Sequence, residues 1–217
     1  MSKQYLVIGA GRFGSSVATT LYELGHDVMV VDNDVALVQQ ISESVTHAVQ
    51  ADATNEAALS SLGVKDFDVI VVAIGHEIQS SIMACILLIE MGARFVVAKA
   101  QTELHGRVLS KIGVNRVIFP ERDMGQKLAH SLSAFNIVDL IELSSNSSVV
   151  EVAAPAEMVG RSLQELNLRA RFGINVIALR DKDGNTNISP GAEDKIKKDD
   201  LIVAVGDNKA LKKIGWI

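Results

Sequence analysis

Up to about residue 132 the chain alternates short, continuously apolar runs with segments whose apolar positions recur every three or four residues. The continuous runs read as strands over residues 5–8, 28–31, 48–51, 69–73, 95–98 and 117–119. The periodic segments predict helices near 13–24, 35–44, 56–62, 78–91, 103–112 and 121–132. A strand that is apolar throughout has to be covered on both faces, so this alternation predicts a parallel sheet between two layers of helices. Gly25, Gly63, Gly92 and Gly113 each follow a helical segment, where a glycine readily closes the last turn.

From about residue 135 the pattern changes. Alternating runs at 149–153 and 201–205 flank turn-rich polar stretches such as Asp181-Lys182-Asp183-Gly184-Asn185, with one helical pattern at 162–168. The expected fold is α/β: a Rossmann-like parallel sheet over residues 1–134, followed by a small α+β domain over 135–217. No flexible linker joins them. Residues 127–132 run on to 137–141 as an apolar stretch that reads as a connecting helix or as an interface, and no internal repeat is present.

Composition narrows the function. Apolar residues make up 48 % and charged residues 22 % of the 217, as in an ordinary globular protein. A net charge of −5 gives no support to binding nucleic acid, which needs clustered Lys and Arg. The single cysteine excludes an internal disulfide framework and fits a reducing cytoplasm. Cys85 lies inside the apolar run 82–89 and reads as helix core. That run is far short of the ~18 residues a membrane span requires. The apolar N-terminal stretch leads straight into a glycine loop, so it reads as a strand and not a leader. The expected location is cytoplasmic, peripheral to the inner face of the membrane if a membrane is involved at all.

The polar groups at the strand ends carry the chemistry. Gly9-Ala10-Gly11-Arg12-Phe13-Gly14 is a G-x-G-x-x-G loop between a strand and a helix. Its glycines allow a tight turn, close approach of a phosphate and close helix–strand packing, and the helix N-terminus attracts an anion. Asp32 follows about 20 residues on, where a carboxylate binds ribose hydroxyls and repels a 2′-phosphate. Its competing role is a helix N-cap, with Asn33 and Asp34 as alternatives. Asp52, Ala53 and Thr54 end strand three, with Thr54 also a candidate N-cap. Ile74 and Gly75 follow strand four, and Lys99 ends strand five, facing phosphate or reaching out to solvent. Arg12 sits among the phosphate-binding groups, where a guanidinium can fork onto a terminal phosphate; the alternative is a solvated surface Arg. Glu121 is either a first-turn helix residue favoured by the dipole or, beside a polyphosphate, a ligand of a divalent cation.

Catalytic sets are missing. Tyr5 and Tyr22 lack a lysine four residues later, and there is no nucleophile elbow and no Walker A lysine. His26, His47, His76, His105 and His130 have no metal-ligand partner at helical spacing. A nucleotide sensor fits these absences better than an enzyme does. The rivals are a small NAD-dependent oxidoreductase and a nucleotide-binding protein of other partnership.

At Gly11-Arg12-Phe13-Gly14, Asp32, Ala98-Lys99-Ala100-Gln101 and Pro120-Glu121-Arg122-Asp123-Met124-Gly125, the chain resembles the RCK (KTN) regulatory subunits of Ktr/Trk potassium uptake systems. The resemblance covers the whole length, with residues 135–217 similar to the family's small C-terminal domain. It implies a homo-oligomer, an octameric ring of dimers, docked under a dimeric potassium-translocating membrane subunit. It further implies ATP and ADP in the N-terminal domains, with NAD(H) as an alternative, and different ring shapes for different nucleotides. Matched by motif, Gly9, Gly11, Phe13 and Gly14 line the loop, Asp32 takes the ribose and Arg12 the γ-phosphate. Glu121 would hold a divalent cation, Mg²⁺ or Ca²⁺, between neighbouring nucleotides. Similar C-terminal domains bind cyclic di-AMP, which would place it here at Arg169, Ala170, Ile174, Asn175 and Pro190.

Overall fold

The computed structural model describes residues 2–75, 77–133 and 137–217. These form two compact units, residues 1–121 and 122–217. The boundary expected at 134/135 falls on residues outside the described set, as does His76; the side chain of His130 is likewise not described.

The first unit runs β1 (Gln4–Ile8), α1 (Arg12–Glu23), β2 (Asp27–Asp32), α2 (Val35–Ile41), β3 (His47–Gln50), α3 (Glu56–Ser61) and β4 (Val69–Val72). It continues with α4 (Ile78–Glu90), β5 (Val96–Lys99), α5 (Glu103–Lys111) and β6 (Arg116–Ile118), and α6 (Pro120–Ser133) begins at the join. The six strands are all parallel in the order β3-β2-β1-β4-β5-β6. Successive side chains of a strand point to opposite faces, and each face here has its own core. Leu6, Ile8, Ile70 and Val72 pack with Leu59, Ala84, Cys85, Leu88 and Leu109 of α3, α4 and α5. Val7, Val28, Val30 and Val71 pack with Ala18 and Ile41 of α1 and α2 on the other side. Continuous apolarity along the strands therefore has its expected cause. Cys85 is fully buried and its thiol is pushed up to about 12 by burial, which makes it an inert part of that core.

The second unit contains β7 (Ile137–Ser144), β8 (Ser147–Ala153), α7 (Leu163–Leu166), α8 (Leu168–Phe172), β9 (Asn175–Arg180), β10 (Thr186–Asn187), β11 (Leu201–Asp207) and α9 (Asn208–Lys213). Its strands are antiparallel in the order β10-β9-β11-β8-β7. Val150, Val152, Ile202 and Ala204 alternate into one core, closed by Leu166, Ile174, Leu211 and Trp216. Two details differ from expectation. Residues 137–141 belong to strand β7, because β8 offers them a ladder of backbone partners. The single helix expected at 162–168 is two short helices, broken at Asn167, whose φ of 47° ends the first.

Candidate functional site

β1 and β4 are neighbours although β2 and β3 separate them in sequence. The connections therefore leave in opposite directions, and a crevice opens at the carboxyl ends of the strands. The loop after β1 is fixed by sterics. Gly9 has φ +101°, and a Cβ there would meet the Ala73 carbonyl carbon at 3.0 Å. A Cβ on Gly14 would stand 1.8 Å from the Gly9 carbonyl oxygen, so only glycine lets α1 pack against the turn. Gly11 differs: nothing lies within 4 Å of where its Cβ would be. Gly11 is also the N-cap of α1, so the first N–H groups of that helix have no side-chain cap.

Asp32, at the end of β2, clamps this loop. Its carboxylate accepts hydrogen bonds from the Ala10 N–H (2.6 Å) and the Asp34 N–H (2.9 Å), one on each oxygen. Each oxygen keeps a lone pair for a hydroxyl donor. The α2 cap is Asp34, which accepts from the Ala36 N–H. At the end of β3, Asp52 accepts from the Thr54 hydroxyl (2.7 Å) and the Thr54 N–H (2.8 Å), which holds its carboxyl below the usual range. Asn55, not Thr54, caps α3. Ala53 is buried, and Ile74 and Gly75 are half-buried.

Lys99 does not reach out to solvent. It is 8 % exposed, and its Nζ lies 5.7 Å from the centre of the Phe13 ring. A Cβ on Gly75 would stand 3.8 Å from that Nζ. The ammonium donates a hydrogen bond to Glu121 Oε1 at the start of α6. Four segments thus converge: the α1 N-terminus, the loop after β4, the end of β5 and the beginning of α6. Hydrogen bonding from Lys99, aided by the charges of Lys99 and Arg12 and opposed by desolvation, holds the Glu121 carboxyl below its ordinary value. Arg12 is exposed on the first turn of α1 and makes no hydrogen bond or ion pair among the described residues.

Glu121 brings one carboxylate to this edge of the sheet, so a divalent cation there would need phosphate oxygens to complete its ligands. That carboxylate accepts from Lys99, and no three His, Cys, Asp or Glu side chains come together among the described residues.

In the second unit, residues 168–175 form a helix-to-strand connection in which Gly173, at φ +72°, is the C-cap of α8. Arg171 donates to the Leu166 carbonyl and lies 5.0 Å from the Phe172 ring. Ile174 is 1 % exposed in the core, Arg169, Ala170 and Asn175 are exposed, and Pro190 is half-buried. The Arg169 side chain forms no hydrogen bond or ion pair among the described residues, while its carbonyl accepts from the Gly173 N–H.

A groove of about 400 Å³ runs between α5 and β6, lined by Gly106, Arg107, Lys111, Val117 and others. None of these is a strand-end polar group of the crevice. Convergent polar groups, not the depth of a groove, mark the candidate site.

Residues 5–120 match the TrkA-N domain family and residues 148–215 the TrkA-C domain family. Ktr system potassium uptake protein A of Bacillus subtilis (strain 168) is 41 % identical over 212 residues, covering 98 % of this chain and 95 % of the relative. The chain belongs to the Ktr/Trk family of potassium uptake proteins. Ktr system potassium uptake protein C of the same organism is 39 % identical over 206 residues, covering 95 % of this chain and 93 % of that one. The fold of this Ktr/Trk chain is that of the GsuK RCK domain, with a TM-score of 0.70 at 18 % identity over 100 % of this chain. The chain spans 47 % of that solved chain. Its family relatives are potassium uptake proteins, and the chain is not an enzyme.

Sequence reasoning found both members of the Lys99–Glu121 pair but not their partnership, since they stand 22 residues apart. It missed Ser15, whose hydroxyl donates to the Ala10 carbonyl (2.6 Å) and steadies the glycine loop from inside α1. It also missed His105, 2 % exposed, whose Nδ1 accepts from the Gln101 N–H just past Lys99. A serine one turn past a glycine loop, and a histidine in the turn after a strand end, were the available signals.

Proposed function

We propose that the chain is a cytosolic, nucleotide-sensing regulatory subunit that gates a potassium-translocating membrane subunit. ATP and ADP occupy the strand-end crevice and favour different shapes of an octameric ring of dimers. The observation that carries the reading is the convergence of an uncapped α1 N-terminus, Asp32 and the buried Lys99 on one crevice. Asp32 keeps acceptor capacity for ribose, and Lys99 with Arg12 supplies positive charge for phosphates. Structures of the GsuK channel bound to NAD and of GsuK bound to ADP share the fold at 19 % and 18 % identity. NAD(H) is therefore the rival ligand. No helix among the described residues is long and apolar enough to cross a membrane, in keeping with a peripheral partner.

A ligand shifts a ring only by the difference between its affinities for the two shapes, so the γ-phosphate contact is the informative one. Calorimetric titration of the purified protein with ATP, ADP, NAD, NADH and NADP tests the reading. ATP and ADP bind and NADP does not. Tighter binding of NADP than of ATP would remove Asp32 from the ribose, and binding of NADH alone would replace the ATP/ADP reading.

In the second unit the reading places cyclic di-AMP at the 168–175 connection and Pro190, supported by the uncommitted charge of Arg169. Ile174 can contribute only its backbone there, since its side chain is buried. Arg169→Ala in the full chain abolishes binding of labelled cyclic di-AMP; unchanged binding rejects the site.

A further inference from the structure

Lys99 carries its charge where water hardly reaches: it ends β5 and is 8 % exposed. An ammonium stripped of water costs free energy unless other groups attract it. One such group is the Glu121 carboxylate, which accepts one of the ammonium hydrogens. The other is the face of the Phe13 ring, whose centre lies 5.7 Å from Lys99 Nζ. An aromatic face attracts a cation within about 6 Å, and does so more strongly where water is excluded. The ring has no acceptor atom, so it holds the ammonium without using up its hydrogens or cancelling its charge. Gly75 brings no side chain to this point; a Cβ there would stand 3.8 Å from Nζ.

We propose that Phe13 is the positioning residue for Lys99: its ring pins the ammonium beside the α1 N-terminus and presents it to a phosphate bound at the glycine loop. The inference rests on the nucleotide reading above and deepens it. The place of the ring follows from the loop. Phe13 stands between Arg12 and Gly14 in the first turn of α1, and the tight clearance at Gly14 fixes that helix against the turn after β1. The ring thereby ties a cation delivered by β5 to the helix end delivered by β1. Packing is its competing role, because Phe13 is half-buried and rests against the core that includes Val7 and Ala18. A leucine would serve that packing and attract no cation. In the second unit the same kind of contact is worth less: Arg171 and Lys213 lie 5.0 and 5.9 Å from the Phe172 ring, but both are exposed.

The test is a double-mutant cycle on the full chain, read by calorimetry with ADP in excess Mg²⁺ and by urea unfolding without nucleotide. Phe13→Leu weakens ADP binding about fivefold, within what a desolvated cation–ring contact supplies. Phe13→Tyr, which keeps the ring, restores most of the affinity. In a Lys99→Met background ADP binds weakly, and Phe13→Leu changes nothing further. Unfolding shows the same coupling: Phe13→Leu costs less stability once Lys99 is replaced, whereas a packing role gives equal costs in both backgrounds. Should Phe13→Leu fail to fold, Phe13→Met takes its place in the cycle. Unchanged ADP affinity in the folded leucine or methionine variant overturns the inference, and so does an equal loss in the Lys99→Met background. If the unsubstituted chain binds neither ADP nor ATP while remaining folded by circular dichroism, the nucleotide reading itself fails and the inference falls with it.

Discussion

In the first unit six parallel strands all end on one edge, whereas the five antiparallel strands of the second end alternately on opposite edges. The parallel arrangement puts the ends of the strands on one edge, where Asp32 holds the glycine loop and Lys99 lies beside Phe13, Gly75 and Glu121. The antiparallel one disperses them. Arg169 lies in helix α8, Asn175 at the start of β9 and Pro190 in the long connection after β10, while the sheet's inner face is closed by Trp216, Leu166 and Ile174. Sheet topology, more than composition, decides which unit gathers groups around a small ligand.

The comparison can be broken most forcefully through the second core. Trp216 is 1 % exposed, and Trp216→Ala should cost about 3–5 kcal/mol in urea unfolding. If the crevice is self-contained, ADP affinity of the folded variant stays within about twofold of the parent, as for independent sites. A large loss of affinity would show that the first unit relies on the second.

Within the first unit two glycines of one loop should part company. Gly14→Ala puts a Cβ 1.8 Å from the Gly9 carbonyl oxygen and should destabilise by about 3 kcal/mol or more. Gly11→Ala meets nothing within 4 Å at an ordinary φ of −64°. Its stability should change by less than about 0.5 kcal/mol, yet nucleotide binding should weaken because the methyl group enters the phosphate's space. Thermal unfolding with parallel calorimetry separates the two, and similar stability losses would reject the steric account.

Arg12→Gln sharpens the ligand side. A charge-assisted hydrogen bond to the γ-phosphate is worth roughly 1.5–3 kcal/mol, so ATP should weaken about tenfold or more while ADP barely changes. Equal losses for ATP and ADP would return Arg12 to the solvated surface.

The smallest effect is a pH dependence. The folded pKa of Asp52 is lowered by its Thr54 hydrogen bonds, so their stabilisation is present above the ordinary Asp range. It is lost as pH falls through the lowered folded value. Thr54→Ala should cost a few tenths of a kcal/mol at pH 7, since Asp52 is largely exposed, and nothing near pH 2. A cost that persists at pH 2 would point to lost packing by the Thr54 methyl.

The legibility of the site follows the reach of each interaction. The glycine loop was readable because its constraint is local: a positive φ at Gly9 and a vanishing clearance at Gly14 leave one residue type. Asp32 was readable because β2 begins a fixed distance after α1. Its hold on the Ala10 N–H was not readable, since that depends on β2 lying beside β1 with Val31 opposite Ile8. Thr54 as a cap was a near miss, because Thr and Asn are both N-cap residues and they stand side by side, with Asn55 the one that accepts from the Ala58 N–H. Helix α9 was not foreseen: six residues hold too few turns for a periodic signal, and its cap, Asp207, is also the last residue of β11.

By itself the sequence determined the alternation of strands and helices, the change of character near residue 135 and the phosphate-type loop with its acid. These depend on side-chain period and on backbone sterics, which act over a few residues. Tertiary structure alone decided that β4 lies beside β1, opening the crevice, and that residues 137–144 join a sheet. It also decided that Lys99 turns inward to Glu121 and not outward to water. Those outcomes depend on which distant segments become neighbours, and a buried charge takes whichever opposite charge the fold brings within reach.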